Sequence, residues 1–147
     1  MTAAVRARAV LRVRHGVVGG RRYGSGMTNA EDFAPLDPVR LVTLSQGWSI
    51  IYSPGGPEWH QHKGALERHG VEGSGYDFSG ALQATLTDHE PGVLDAVGFD
   101  PEGGMVSVHG PDLDALHAAA RHLHRLVTDE QALDAALARS AELGLDD

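Results

Sequence analysis

The chain has 147 residues, 41% of them hydrophobic, enough for one domain with a core of its own. Residues 1–26 hold six of the twelve Lys and Arg and none of the twenty Asp and Glu, so this leader carries +6 and the remaining 121 residues carry −14. A body that acidic repels nucleic acid and suits a basic protein partner. The absence of cysteine excludes disulfide frameworks, thiolate metal sites and cysteine nucleophiles, and fits a reducing cytosol; no apolar run nears the ~20 residues that span a bilayer.

The leader contributes Arg6, Arg8, Arg12, Arg14, Arg21 and Arg22, and its glycines at 16, 19, 20, 24 and 26 oppose a stable helix. It lacks the apolar core of a secretory signal. A transit peptide, a nucleic-acid arm, a disordered tail and sequence upstream of an ordinary acidic start at Met27 all remain open for it. Residues 27–147 are expected to form a single α+β domain. Eleven Arg to one Lys, with abundant Ala and Gly, suggests a GC-rich bacterial genome.

From Met27 the elements follow in order. Residues 33–38 form a Pro-rich lead-in, and residues 39–45 and 48–53, joined at Gln46-Gly47, carry the β-branched alternation of a hairpin. Pro57 and Glu58 suit a helix start and Gly70 a helix end, with Gly64 weakening the helix between. A second helix follows Gly75, puts Phe78, Leu82 and Leu86 on one face and stops before Pro91.

A second hairpin is expected around Phe99-Asp100-Pro101-Glu102-Gly103-Gly104-Met105. Asp100, Pro101 and Gly103 fit the first, second and fourth positions of a type I turn, and Gly104 fits a bulge or a positive φ. Near Asp112 the strongest helix begins, with Leu113, Leu116, Ala120, Leu123 and Val127 on one stripe. Thr128 and Gln131 read as a capping box for a last helix that stops at Gly144. The predicted order is ββααββαα: two β-hairpins and about four helices, an antiparallel sheet with helices packed on it.

Nine histidines raise a metal or catalytic reading. His60 and His62, like His122 and His124, are two apart and diverge on a helix; His117 and His124 share a face but stand about 10 Å apart, too far for one ion. A His paired with Asp88 or Glu90 is the acid–base arrangement left open. Gly73-Ser74-Gly75 lacks the frame of a nucleophile elbow and has no Lys to hold a phosphate. No catalytic residue, metal ligand or cofactor is therefore assigned.

In Gly73-Ser74-Gly75-Tyr76-Asp77-Phe78 the glycines permit a tight connection between helices and Phe78 belongs in the core. Tyr76 has the amphipathic ring common at interfaces. This stretch and residues 99–105, in this order with an amphipathic segment between them and another behind, resemble the bacterial immunity proteins of polymorphic toxin systems, in particular the family numbered fifty-one, over residues 39–140. The resemblance implies a cytoplasmic protein with no chemistry of its own that neutralises a cognate toxin, encoded by a neighbouring gene, through stoichiometric binding. The acidic body adds that this toxin is basic.

Glu72, Tyr76, Asp77, Glu102 and Trp59 are the candidate contacts. Gly73, Gly75, Phe78, Phe99, Asp100, Pro101, Gly103 and Gly104 are expected to hold the fold. A small metal-assisted or His/Asp acid–base enzyme, and a nucleic-acid-binding protein using the leader, are the other readings.

Overall fold

The computed structural model describes residues 28–145; the basic leader lies outside them. A 3₁₀ helix, Ala30–Leu36, occupies much of the expected lead-in. It is followed by β1 (Arg40–Thr43), β2 (Trp48–Tyr52), α1 (Pro57–Gln61), α2 (Lys63–Arg68), α3 (Gly75–His89), α4 (Pro91–Ala96), β3 (Gly98–Phe99), β4 (Val106–Gly110), α5 (Leu113–Thr128) and α6 (Glu130–Leu143). The strands form one antiparallel sheet in the order β1-β2-β4-β3. Two hairpins joined through their long strands thus give the expected α+β class.

Two departures from the predicted order have local causes. The first helix is broken at His62, whose backbone (φ −99°, ψ 4°) ends α1 and begins α2. Its side chain is 1% exposed, and Nε2 hydrogen-bonds the Val127 carbonyl in the last turn of α5, so this break is fixed by a distant element. Pro91 opens the short helix α4 instead of leading straight into a strand, because Pro suits a first helical turn and keeps Glu90 out of the helical region (φ −147°, ψ 66°) before it.

Alternation along the strands divides the sheet into two faces. Ile50, Tyr52, Phe99, Val106 and Val108 are buried beneath the helices, Phe78 of α3 meeting Tyr52 edge to face at 5.2 Å. Arg40, Val42, Ser49, Ile51, Asp100, Ser107 and His109 alternate with these and share the outer face.

The predicted stripes are buried except at Leu113, which opens α5 and is partly buried. Leu116, Ala120, Leu123 and Val127 of α5 and Leu82 and Leu86 of α3 are each 0% exposed. Burial is wider than one stripe on both helices because α6 packs behind them. Gly80 admits the close approach: a β-carbon there would lie 2.7 Å from Ser140 Oγ and from the Leu145 carbonyl.

Helix α6 is capped one residue later than expected. Asp129 accepts from Gln131 N (3.0 Å) and Ala132 N (3.3 Å), while Thr128 turns its hydroxyl back to the His124 carbonyl at 2.8 Å. Gly144 ends the helix in the left-handed conformation (φ 71°), where glycine carries no Cβ penalty. No helix among the described residues is long and apolar enough to cross a membrane.

Candidate functional site

The N-terminus of α3 is built from the first sequence stretch. Ser74 is its N-cap and Asp77 sits at the third helical position. Asp77 Oδ2 accepts from Gly73 N (2.9 Å), Ser74 N (2.9 Å) and Ser74 Oγ (3.1 Å), and Ser74 Oγ accepts from Asp77 N at 3.3 Å. This is a capping box, with a carboxylate at the positive end of the helix dipole. Gly73 supplies the positive φ (79°) that lets the chain enter.

The second stretch is the hairpin that meets this helix end. Its register runs on past β3: Asp100 N donates to the Ser107 carbonyl, and Glu102 and Met105 bridge each other. The turn therefore lies two residues beyond the predicted one, with Gly103 and Gly104 at its tip, neither of them at a positive φ. Asp100 is an exposed position of the extended strand instead of the first residue of a turn.

Gly75 N donates to the Gly103 carbonyl at 3.0 Å, so the hairpin tip plugs the helix N-terminus. A β-carbon on Gly75 would fall on the carbonyl oxygens of Glu102 and Met105. Gly75 thus serves close approach, whereas the sequence had suggested conformational freedom. The two stretches, with the 20 residues 79–98 between them, form one object.

Around this junction the chain gathers the candidate contacts. Trp59 of α1, half-buried, donates its indole N–H to the Glu72 carbonyl at 3.2 Å and packs beside Gly73. Tyr76 stands in the first turn of α3 with 51% of its surface exposed. Glu72 and Glu102 are exposed, as are Gly103 and Gly104. Asp77 is drawn into the same place, but one of its oxygens already accepts three hydrogen bonds, so it holds the loop from which its neighbours project.

Charge distinguishes this end of the molecule. Residues 69–120 contain nine Asp and Glu and no Lys or Arg at all, a run legible in the sequence that the division at Met27 conceals. Ion pairs among the described residues involve Arg68, His69, His122, Arg125 and Arg139, which draw on carboxylates of α3, α6 and the loops beside them. The His69 hydrogen bond, reinforced by Arg68, holds the Asp134 carboxyl below its ordinary range, and Asp88 and Glu142 raise the Arg139 guanidinium. Glu72, Asp100 and Glu102 enter none of these pairs.

A second region lies between α3, α5 and α6, where a cleft of about 270 Å³ is lined in part by Asp88, His89, His122, Arg125 and Arg139. His122 Nε2 meets Glu90 Oε2 at 2.6 Å, the His–carboxylate pairing left open by the sequence, and His89 stacks on His122 with centroids 6.3 Å apart. Thr85, also at the cleft, spends its hydroxyl on the Ala81 carbonyl. No group of three or more His, Asp or Glu among the described residues is arranged to hold a metal ion.

No curated protein and no solved structure matches the chain. The family model described as Immunity protein 51 matches residues 55–142, from the loop after the first hairpin almost to the end of α6, and so takes in both stretches and the junction they form. The chain belongs to the Immunity protein 51 family.

Proposed function

We propose that this protein neutralises a cognate toxin by direct stoichiometric binding, using the surface at the junction of the hairpin tip and α3, and has no chemistry of its own. The observation that carries this reading is the convergence of Trp59, Glu72, Tyr76 and Glu102 on one junction, the last three within the run of residues 69–120 that has no Lys or Arg. The exposed Tyr76 ring, the half-buried Trp59 and carboxylates that enter no ion pair among the described residues are suitable anchors for a basic protein surface, and their fixed backbone limits the entropy lost on binding. The toxin on this reading is basic, encoded beside this chain's gene and met in the cytoplasm.

Co-expression with the product of that neighbouring gene tests it. Rescue of growth and co-purification at one-to-one stoichiometry are expected, both weakened by Tyr76→Ala. Failure of the two proteins to associate when both are soluble would remove the proposal. The His122–Glu90 pair beside its cleft favours a second reading, an acid–base enzyme acting on a small molecule. His122→Ala separates the two: neutralisation that survives this substitution in a folded chain sets the enzyme reading aside, and its selective loss favours it.

A further inference from the structure

Helices cover one face of the sheet. The opposite face is formed by the alternate residues Arg40 and Val42 on β1, Ser49 and Ile51 on β2, Ser107 and His109 on β4, and Asp100 on the strand leading to the tip. Its centre is orderly: Ser49 and Ser107 join hydroxyls across the strands at 2.8 Å, and the His109 ring lies over Gly98, where no side chain competes for the space. Val42 is 36% exposed and, with the partly buried Ile51, forms an apolar spot on an otherwise polar face.

This face does not stop at the sheet. The continuous register from Gly98↔His109 to Glu102↔Met105 keeps Asp100 and Glu102 in step with the outer residues, so the face runs into the junction bearing Glu72 and Tyr76. Two of the four strands, β3 and β4, lie within the run of residues 69–120 that has no Lys or Arg. Among the described residues, the Arg on the face is Arg40, at its far edge on β1.

We propose that the outer face of the sheet is the second half of the toxin-binding surface, and that a basic, cation-bearing face of the toxin lies across β2, β4 and the tip. This extends the proposed toxin-binding role and rests on it. Continuity with the junction, and Asp100 and Glu102, which enter no ion pair among the described residues, select a cationic protein over a second copy of this chain, whose own acidity opposes such a contact. Cations of the toxin would meet Asp100 and Glu102, its apolar side chains Val42 and the partly buried Ile51, and its polar groups the partly exposed Ser107 and His109.

The absence of native cysteine allows a direct test. Single Val42→Cys, Asp100→Cys, Tyr76→Cys and Leu143→Cys chains, checked for an unchanged melting temperature, are alkylated with and without the protein encoded by the neighbouring gene. Val42, Asp100 and Leu143 are exposed in the free chain, and Leu143 lies at the end of α6. The expected result is at least a tenfold slowing at Val42→Cys, Asp100→Cys and Tyr76→Cys, with Leu143→Cys unchanged.

Protection at Tyr76→Cys without protection at Val42→Cys, whether or not Asp100→Cys is slowed, would overturn the extension and leave the junction as the binding site. Protection at none of the three would overturn both. Slowing at Val42→Cys with rising concentration of this chain alone would assign the face to self-association, and so also overturn the proposal.

Discussion

A β-carbon on Gly75 would meet the carbonyl oxygens of Glu102 and Met105, backbone atoms that cannot swing aside. Gly75→Ala should therefore cost ~1–3 kcal/mol in urea unfolding, even though Ala is the better helix former. Gly104→Ala, at a position with nothing within 4 Å and no positive φ, should stay within ~0.5 kcal/mol. Equal losses at both positions would show that close approach is not what fixes the tip. Tyr52 makes a second residue-scale case. It is 1% exposed and donates to Glu58 Oε1 at 3.0 Å, and burial first, then that hydrogen bond, push its phenol well above the ordinary value. The unfolded phenol ionises near pH 10 while the folded one stays neutral, so stability is full below that pH and declines as pH rises above it. Tyr52→Phe should cost ~1–2 kcal/mol at pH 8 through the lost hydrogen bond and flatten the decline between pH 9.5 and 11. Melting both proteins across that range checks the sign, since a slope unchanged by the substitution would trace the alkaline loss to another group.

At the scale of elements, helix α6 separates two neighbouring candidates for one cap. Asp129→Ala should lower stability by ~1 kcal/mol and Thr128→Ala by clearly less, because Asp129 satisfies the first turn and Thr128 bonds backward into α5. Thermal melts of the two variants decide it, and the reverse order would return the cap to Thr128. Two adjacent residues of capping type are not distinguishable from spacing alone, and this is why the sequence reading placed the cap one residue early. The stripes of α3 and α5 were legible because their period is local and burial simply follows it. The break at His62 was not, since it answers to the Val127 carbonyl, 65 residues away. The hairpin turn was misplaced for a related reason. Asp100 and Pro101 carry turn chemistry, but the antiparallel register with β4 keeps them extended and leaves the bend to the glycine pair. Of the candidate site, the sequence offers the individual residues as candidates; that hairpin and helix end meet depends on strand order, which no local pattern encodes.

Across the whole molecule, charge is segregated. The described Arg and His partners sit with carboxylates of α3, α6 and adjoining loops, while Glu72, Asp100 and Glu102 take part in no ion pair among the described residues. An acidic end of this kind acts at a distance and is screened by salt. Association with a basic toxin should slow as ionic strength rises toward and beyond ~0.15 M, where the Debye length is ~8 Å, with dissociation changing far less. Glu102→Lys should slow association at low salt and leave the melting temperature nearly unchanged, because its side chain is exposed and its role in the bridge to Met105 belongs to the backbone. Stopped-flow kinetics over a salt series measures both, and association that ignores salt would remove charge steering from the account.

The plug at the start of α3 also divides labour between neighbouring positions. Ser74, Gly75 and Asp77 hold the junction through backbone and capping contacts and Glu72 and Glu102 through their main chains, while the exposed side chains of Glu72, Tyr76 and Glu102 enter none of those contacts. Exchanging side chains at those three positions should leave the frame undisturbed, so on the proposed binding role a lineage facing a changed toxin could alter its recognition letter by letter while keeping the same scaffold.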